Sequence, residues 1–363
     1  MKNFLQEATD TKPVEWEKVR ARLGCDDLSL AEAAALLTPQ ASEHLEELAR
    51  AACALTRKRF GRTIKLYAPL YLSNDCINGC LYCGFNRHSN IERRTLSAPE
   101  AIAEARAIMA AGHRHILLVS GEHPTAMPLE LICEIASAIR PSAAGLSIEV
   151  QPFDEAGYRR LAAAGIDGVT LYQETYDDRV YSQVHPTGPK SRFGSRLEAI
   201  EAAGRAGMRF LGIGALLGLA DWRREAMALV AHARYLMKHH WRSAITVSVP
   251  RIRDSATNFA MPHPVTDREL AHLICTLRLA LPDAGIILST REPPFLRDHL
   301  LPLGITQMSA GSVTSPGGYT LMKEQPAEQF HLEDHRSPNE VALRLKDVGY
   351  DPVWKDWDPH LVG

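Results

Sequence analysis

The chain has 363 residues, 45% of them hydrophobic and 23% charged, with a formal net charge of −2. This balance supports a large apolar core and leaves no basic excess for nucleic acid or an anionic membrane surface. No apolar run approaches the roughly 20 residues that span a bilayer, and the polar start "MKNFLQEATDTKPVEWEKVR" is unlike a targeting peptide, so the expected location is the cytoplasm.

Residues 1–62 read as an N-terminal helical extension. "SLAEAAALLTP" opens at a serine cap and stops before Pro39, and "SEHLEELARAACALTRKRFG" keeps helical spacing as far as Gly61. Beyond it the rhythm changes. Short apolar, β-rich runs ("IKLYAPLYL", "HILLVSG", "LSIEVQP", "GVTLYQE", "FLGIGALLG", "ITVSVPRI", "GIILST", "ITQMSAGS") alternate with Ala/Leu/Arg-rich segments such as "SAPEAIAEARAIMAAG", "DEAGYRRLAAAG" and "DRELAHLICTLRLAL". Continuous apolar strands alternating with amphipathic helices predict a parallel sheet covered on both faces. Eight of them predict a (β/α)8 TIM-type barrel over residues 63–336, with an open six-stranded partial barrel as the alternative. Residues 337–363 add one helix, "PNEVALRLKDVG", and a tail, "YDPVWKDWDPHLVG", packed on the barrel.

In such a barrel chemistry sits at the C-terminal ends of the strands. Several candidate strands end in polar residues or glycine: Gly121 and Glu122, Glu149 and Gln151, Glu174, Arg251, Arg291, Ser309. Any one of these is ordinary where a chain leaves a sheet through a polar turn. Together they matter because a cysteine motif follows the first strand.

Seven cysteines occur, and three lie within "SNDCINGCLYCGFN", at Cys76, Cys80 and Cys83. Their spacing lets three thiolates reach one centre from a loop. A structural zinc ion usually takes four protein ligands, commonly in pairs. His88 is near enough in sequence to be the fourth, but no second pair is present. An iron–sulfur cube held by three cysteines leaves one iron open to a small molecule, which suits a reactive cofactor. The cluster is the favoured occupant and zinc the alternative. Cys25, Cys53, Cys133 and Cys275 are scattered through helical, apolar sequence and read as buried thiols in a reducing compartment.

A three-cysteine loop behind the first strand of a βα barrel resembles the radical S-adenosylmethionine superfamily. The ordered set "LYLSNDCINGCLYCGFN", "LLVSGEH", "VQP", "YQETY", "GIGALLGL", "STREPPFLRD", "PGGY" and "PVWKDWD" resembles, over nearly the whole chain, the tyrosine lyases of thiamine biosynthesis in its aromatic-amino-acid-lyase group. The resemblance implies one 4Fe–4S cluster on Cys76, Cys80 and Cys83, with S-adenosyl-L-methionine at the open iron. It assigns cofactor binding to the turn Ser120, Gly121 and Glu122, where a serine replaces the family's first glycine, and to Glu174 and Arg196. It assigns the substrate carboxylate to Arg291, with Ser309 and Tyr71 completing the pocket. Without it, Glu174 and Arg196 read as an internal salt bridge, Tyr71 as a core aromatic, and Arg291 as the partner of Glu292 or Asp298.

The implied substrate is L-tyrosine. An adenosyl radical removes a hydrogen atom, with the amino group as the expected site, and the Cα–Cβ bond breaks to give 2-iminoacetate (dehydroglycine) and p-cresol. Dehydroglycine hydrolyses in water, which implies hand-over to a thiazole synthase partner; a flavodoxin or ferredoxin-type protein is the implied reductant. A tryptophan lyase shares these motifs and stays open. No cysteine follows Cys275, which counts against the second-cluster domain of hydrogenase-maturation tyrosine lyases. An iron–sulfur electron carrier or zinc-stabilised binding module is the alternative from a different class.

Overall fold

Eight parallel strands close on themselves. In the computed structural model, which describes residues 3–321 and 328–354, they are β1 (Thr63–Ser73), β2 (His115–Ser120), β3 (Gly145–Glu149), β4 (Gly168–Thr170), β5 (Phe210–Gly214), β6 (Ala244–Ser248), β7 (Gly285–Leu288) and β8 (Gln307–Ser309). Each pairs with the next, and β1 pairs both with β2, through Ala68–Ser73, and with β8, through Lys65–Tyr67. The barrel is therefore closed, and the open six-stranded alternative is excluded. Each of the eight strands falls on one of the apolar runs of the sequence, with β1, β3 and β6 reaching one residue beyond theirs. Residues such as Leu66, Leu70, Ile116, Leu118, Ile148 and Val247 are buried under the surrounding helices.

The top of β1 carries a register shift. Tyr71 pairs with Val119 and Ser73 with Ser120, so Leu72 is the extra residue. A bulge re-aims a strand, and here it turns the chain out of the barrel wall just before the cysteines.

The N-terminal extension is more broken than its sequence suggests. Helix Leu30–Leu36 starts on a capping box of Ser29 and Glu32, and Pro39 opens a second short helix behind Thr38. Helix Leu45–Phe60 then lies along helix Asp267–Ala280 of the barrel wall. Trp16, Val19, Leu36, Leu48 and Ala52 fill the seam with Cys275 and Leu279.

The C-terminal part returns to the start of the barrel. After helix Pro338–Asp347, a ninth strand, β9 (Asp351–Val353), pairs in parallel with Thr63–Lys65 at the base of β1. Pro352 is tolerated because the strand is an edge. The expected tail beyond Trp354 lies outside the described residues. Among the described residues no helix is long and apolar enough to cross a membrane.

Candidate active site

The loop after β1 is tied down by polar side chains. Asn74 donates from Nδ2 to the Glu92 carbonyl (2.8 Å) and accepts from the Arg94 N–H (2.7 Å). The Arg93 guanidinium donates to the carbonyls of Asn74, Phe85, Asn86 and Ser89. Held this way, Cys76, Cys80 and Cys83 line one cleft at the C-terminal mouth of the barrel, about 940 Å³ including its opening. Asn78 Nδ2 lies 3.8 Å from Cys76 Sγ and Gln329 Nε2 lies 3.6 Å from Cys83 Sγ. Gln329 also accepts from the Tyr71 hydroxyl (2.7 Å), and its carbonyl accepts from the Gly84 N–H (3.1 Å). A Cβ on residue 84 would stand 2.5 Å from that carbonyl, so only glycine lets the two segments meet.

These thiols fit an iron–sulfur cluster better than a zinc ion. His88, the candidate fourth zinc ligand, is exposed and absent from the cleft lining. Among the described residues no three His, Cys, Asp or Glu side chains are arranged to hold a single metal ion. Burial pushes the Cys80 thiol up to about 12 and also raises Cys83. Thiolates there need a positive centre to form, and two amide N–H donors already face sulfur. The other four cysteines lie elsewhere as free thiols; only Cys275 is fully buried, while Cys25, Cys53 and Cys133 are half-buried.

Opposite the cysteines stands a buried charge network, and its pairing differs from the sequence reading. Glu174 and Arg196 do not bridge each other. Glu174 accepts from Lys190 Nζ (2.6 Å), and Arg196 pairs with Glu122, which also accepts from Asn78 Nδ2 (2.7 Å). Burial opposes charge on Glu174, but Lys190 and Arg196 outweigh it and hold the carboxyl below its usual range. Burial likewise opposes charge on Lys190 and Arg196, and the facing carboxylates raise both above their ordinary values. Ser120, Gly121 and Glu122 form the adjoining wall. Ser120 Oγ and Arg196 Nε are buried there without a hydrogen-bond partner. Two unmet polar groups beside a cleft fit a polar ligand.

Glu174 has a left-handed backbone, φ 71°, a conformation that costs a non-glycine residue roughly 1–3 kcal/mol. Glu225, in the first turn of helix Trp222–His239, holds the segment behind it. Its carboxylate accepts from the Thr175 hydroxyl (2.6 Å) and the Tyr176 N–H (2.9 Å). Burial pushes the Glu225 carboxyl up to about 7.

Deeper in the barrel the cleft continues into a cavity of about 560 Å³. The structure brings Tyr71, Arg291 and Ser309 together in its wall. The ion pairs suggested for Arg291 by sequence are absent: Glu292 binds Arg251 and Arg253, and Asp298 binds Arg336 and Arg344. Arg291 instead lies over the Phe330 ring, 3.4 Å from its centroid, with no ion pair to a described residue. Ser309 Oγ accepts from the Thr290 N–H (3.0 Å). Ser312 and Thr314 add hydroxyls without partners. Burial, with Glu149 next, raises Tyr71 well above the usual phenol value, so its hydroxyl remains a donor. Tyr71 packs edge-on to Phe85, 5.8 Å between centroids, as a core aromatic would, and it also lines the cavity.

Four residues of this site were not singled out from sequence. Asn78 sits inside the cysteine loop and carried a local signal that went unused. Lys190, in "HPTGPKSRF", and Gln329 look like ordinary loop residues. Glu225 is a helix-start acid like many others.

Comparison with known proteins agrees with this geometry. A family profile described as the radical SAM superfamily matches residues 70–231, and one described as the biotin and thiamin synthesis associated domain matches residues 248–351. The chain is 41% identical to the 2-iminoacetate synthase of Salmonella typhimurium and 40% identical to that of Escherichia coli, each over 96% of both chains. Among solved structures, the FeFe-hydrogenase maturase HydG of Carboxydothermus hydrogenoformans superposes with a TM-score of 0.87 at 40% identity, covering 93% of this chain and 79% of that one. A methylornithine synthase, at 22% identity and a TM-score of 0.74, shares the fold.

Proposed function

The chain belongs to the 2-iminoacetate synthase family of the radical S-adenosylmethionine superfamily, and from that premise we propose that it cleaves the Cα–Cβ bond of L-tyrosine. The products are 2-iminoacetate, for the thiazole moiety of thiamine, and p-cresol, with methionine and 5′-deoxyadenosine from the cofactor. When bound and reduced, one 4Fe–4S cluster with S-adenosylmethionine supplies the 5′-deoxyadenosyl radical.

The protein's own part is to bind, orient and enclose. Cys76, Cys80 and Cys83 would hold the cluster, with the Asn78 and Gln329 amides facing the Cys76 and Cys83 sulfurs. Ser120, Gly121 and Glu122 receive the methionyl end of the cofactor. Arg196 offers its unpartnered Nε to the methionyl carboxylate, and Glu174, braced by Lys190, faces the cationic side. The substrate carboxylate goes to Arg291, with Ser309 and Tyr71 beside it; the planar guanidinium fixes the α-carbon against the cofactor. In this reading the described part of the N-terminal extension covers the barrel wall, the barrel carries the site, and helix Pro338–Asp347 with β9 closes its base. The reductant is a flavodoxin or ferredoxin-type protein, the imine passes to a thiazole synthase, and the compartment is the cytoplasm.

The observation that supports the reading is the wall shared by the cysteine cleft and the Arg291 cavity; in this reading the substrate's charged end lies next to the cofactor. The test is anaerobic reconstitution and reduction, followed by S-adenosylmethionine with tyrosine or tryptophan. Tyrosine-dependent p-cresol is the expected product. Indole products from tryptophan, without p-cresol from tyrosine, would overturn the assignment.

A further inference from the structure

The cleft and the inner cavity share seven lining residues, and only two of these are charged, one of each sign: Arg291 and Glu149. Glu149 is the last residue of β3, beside Val119 of β2 and thus at the barrel mouth. Among the described residues, the other carboxylates that line the cleft, and Glu292 beside it, are engaged. Glu122 holds Arg196 and Asn78, Glu174 holds Lys190, and Glu292 holds Arg251 and Arg253. Glu149 forms no ion pair or hydrogen bond, and Arg291 no ion pair, with a described residue. A half-buried acid and a half-buried guanidinium, neither in an ion pair with a described residue, match the two charges of an α-amino acid.

We infer that Glu149 receives the α-ammonium group of the substrate, across from Arg291, and takes one of its protons. The inference rests on the tyrosine-cleavage reading. Substrate binds as an ion pair between its ammonium group and the Glu149 carboxylate; one proton then moves from substrate nitrogen to that carboxylate before the chemical step, giving a neutral amine and a neutral acid. No other reactant is consumed. Burial first, and Glu174 second, push the Glu149 carboxyl up to about 7, against the pull of Arg291, Arg196 and Lys190. A carboxyl tuned there exchanges protons near neutrality. The phenols of Tyr67, Tyr71 and Tyr172 also face it, and all three stay protonated.

The test compares tyrosine with 3-(4-hydroxyphenyl)propionate, which lacks the amine, for binding to the reconstituted enzyme with S-adenosylmethionine. The wild type should prefer tyrosine by about ten-fold or more, the scale of one charge-assisted contact. Glu149→Gln, which keeps the shape and loses the charge, should erase that preference. Glu149→Asp, which keeps the charge, should retain most of it. A preference unchanged in Glu149→Gln overturns the role of Glu149, as does its loss in Glu149→Asp and not in Glu149→Gln. Wild-type p-cresol is measured alongside. If it forms while the preference survives in Glu149→Gln, only this inference fails; if it never forms from tyrosine, the underlying reading fails and takes the inference with it.

Discussion

The barrel mouth and the seam beneath the N-terminal helices bury the same chemistry to opposite ends. Each encloses a thiol that burial pushes up to about 12, Cys80 at the mouth and Cys275 in the seam. Each lays a guanidinium over a phenylalanine ring, Arg291 on Phe330 and Arg278 on Phe60. In the seam Arg278 donates to the carbonyls of Leu281, Pro282, Ala284 and Gly304. Cys275 sits there among leucine and alanine side chains. At the mouth Arg291 has no ion pair with a described residue, and Cys80 shares its wall with two other thiols and a cluster of charges. Burial alone therefore does not mark function. What marks it is the donor or acceptor whose capacity the protein leaves unused.

The sharpest way to break the contrast is through the thiols. Cys80→Ala should abolish iron loading and p-cresol formation, whereas Cys275→Ala should keep full iron content and cost about 1 kcal/mol of stability. Iron loss in the Cys275 variant would end the three-ligand account.

The arginines come next. Arg291→Ala should leave iron content near normal and lower p-cresol per deoxyadenosine about 100-fold, the scale of a lost carboxylate clamp. Arg291→Lys should rescue little, because a point charge does not fix a carboxylate plane. Arg278→Ala should do the reverse, dropping the melting temperature by several degrees while any folded enzyme stays coupled. Measuring both products and thermal stability on the same variants decides the matter; an uncoupled Arg278 variant would erase the distinction.

A smaller effect is expected within the charge network. Glu174→Gln, Lys190→Met or Arg196→Ala should each weaken S-adenosylmethionine binding about ten-fold with iron retained. Unchanged affinity with lowered stability would make these pairs structural, like those of the seam.

The smallest effect is on stability against pH. The Glu149 carboxyl rises from 4.5 to about 7 in the fold. Its neutral form is favoured there, so its contribution is complete below 4.5 and is lost as pH rises through 7. At pH 8 the buried charge costs at most about 3 kcal/mol. Apo Glu149→Gln should then melt about 4 °C above apo wild type at pH 8 and level with it near pH 4. A constant offset across that range would mean that Glu149 does not titrate in it.

Much of this was legible in the chain. Eight apolar runs became eight strands, because burial on both faces leaves a continuous signal. Cys76, Cys80 and Cys83 announced themselves by spacing, and Ser120, Gly121 and Glu122 stood at a strand end where barrel chemistry gathers. The partners of the charges were not legible. Lys190 meets Glu174 across a loop, and Arg196 meets Glu122 from a helix 74 residues later. Such pairs exist only once the sheet has closed. β9 escaped notice because three residues around a proline carry no period.

Gln329 has one more consequence, in the time it takes to make the chain. Its amide faces Cys83 from 246 residues downstream. At roughly 5–20 residues per second, about 12–50 s separate the two on a ribosome. Throughout that interval the cysteine loop exists with one wall missing. A cluster delivered to the nascent chain meets an open site; one delivered after release meets a site already walled on that side.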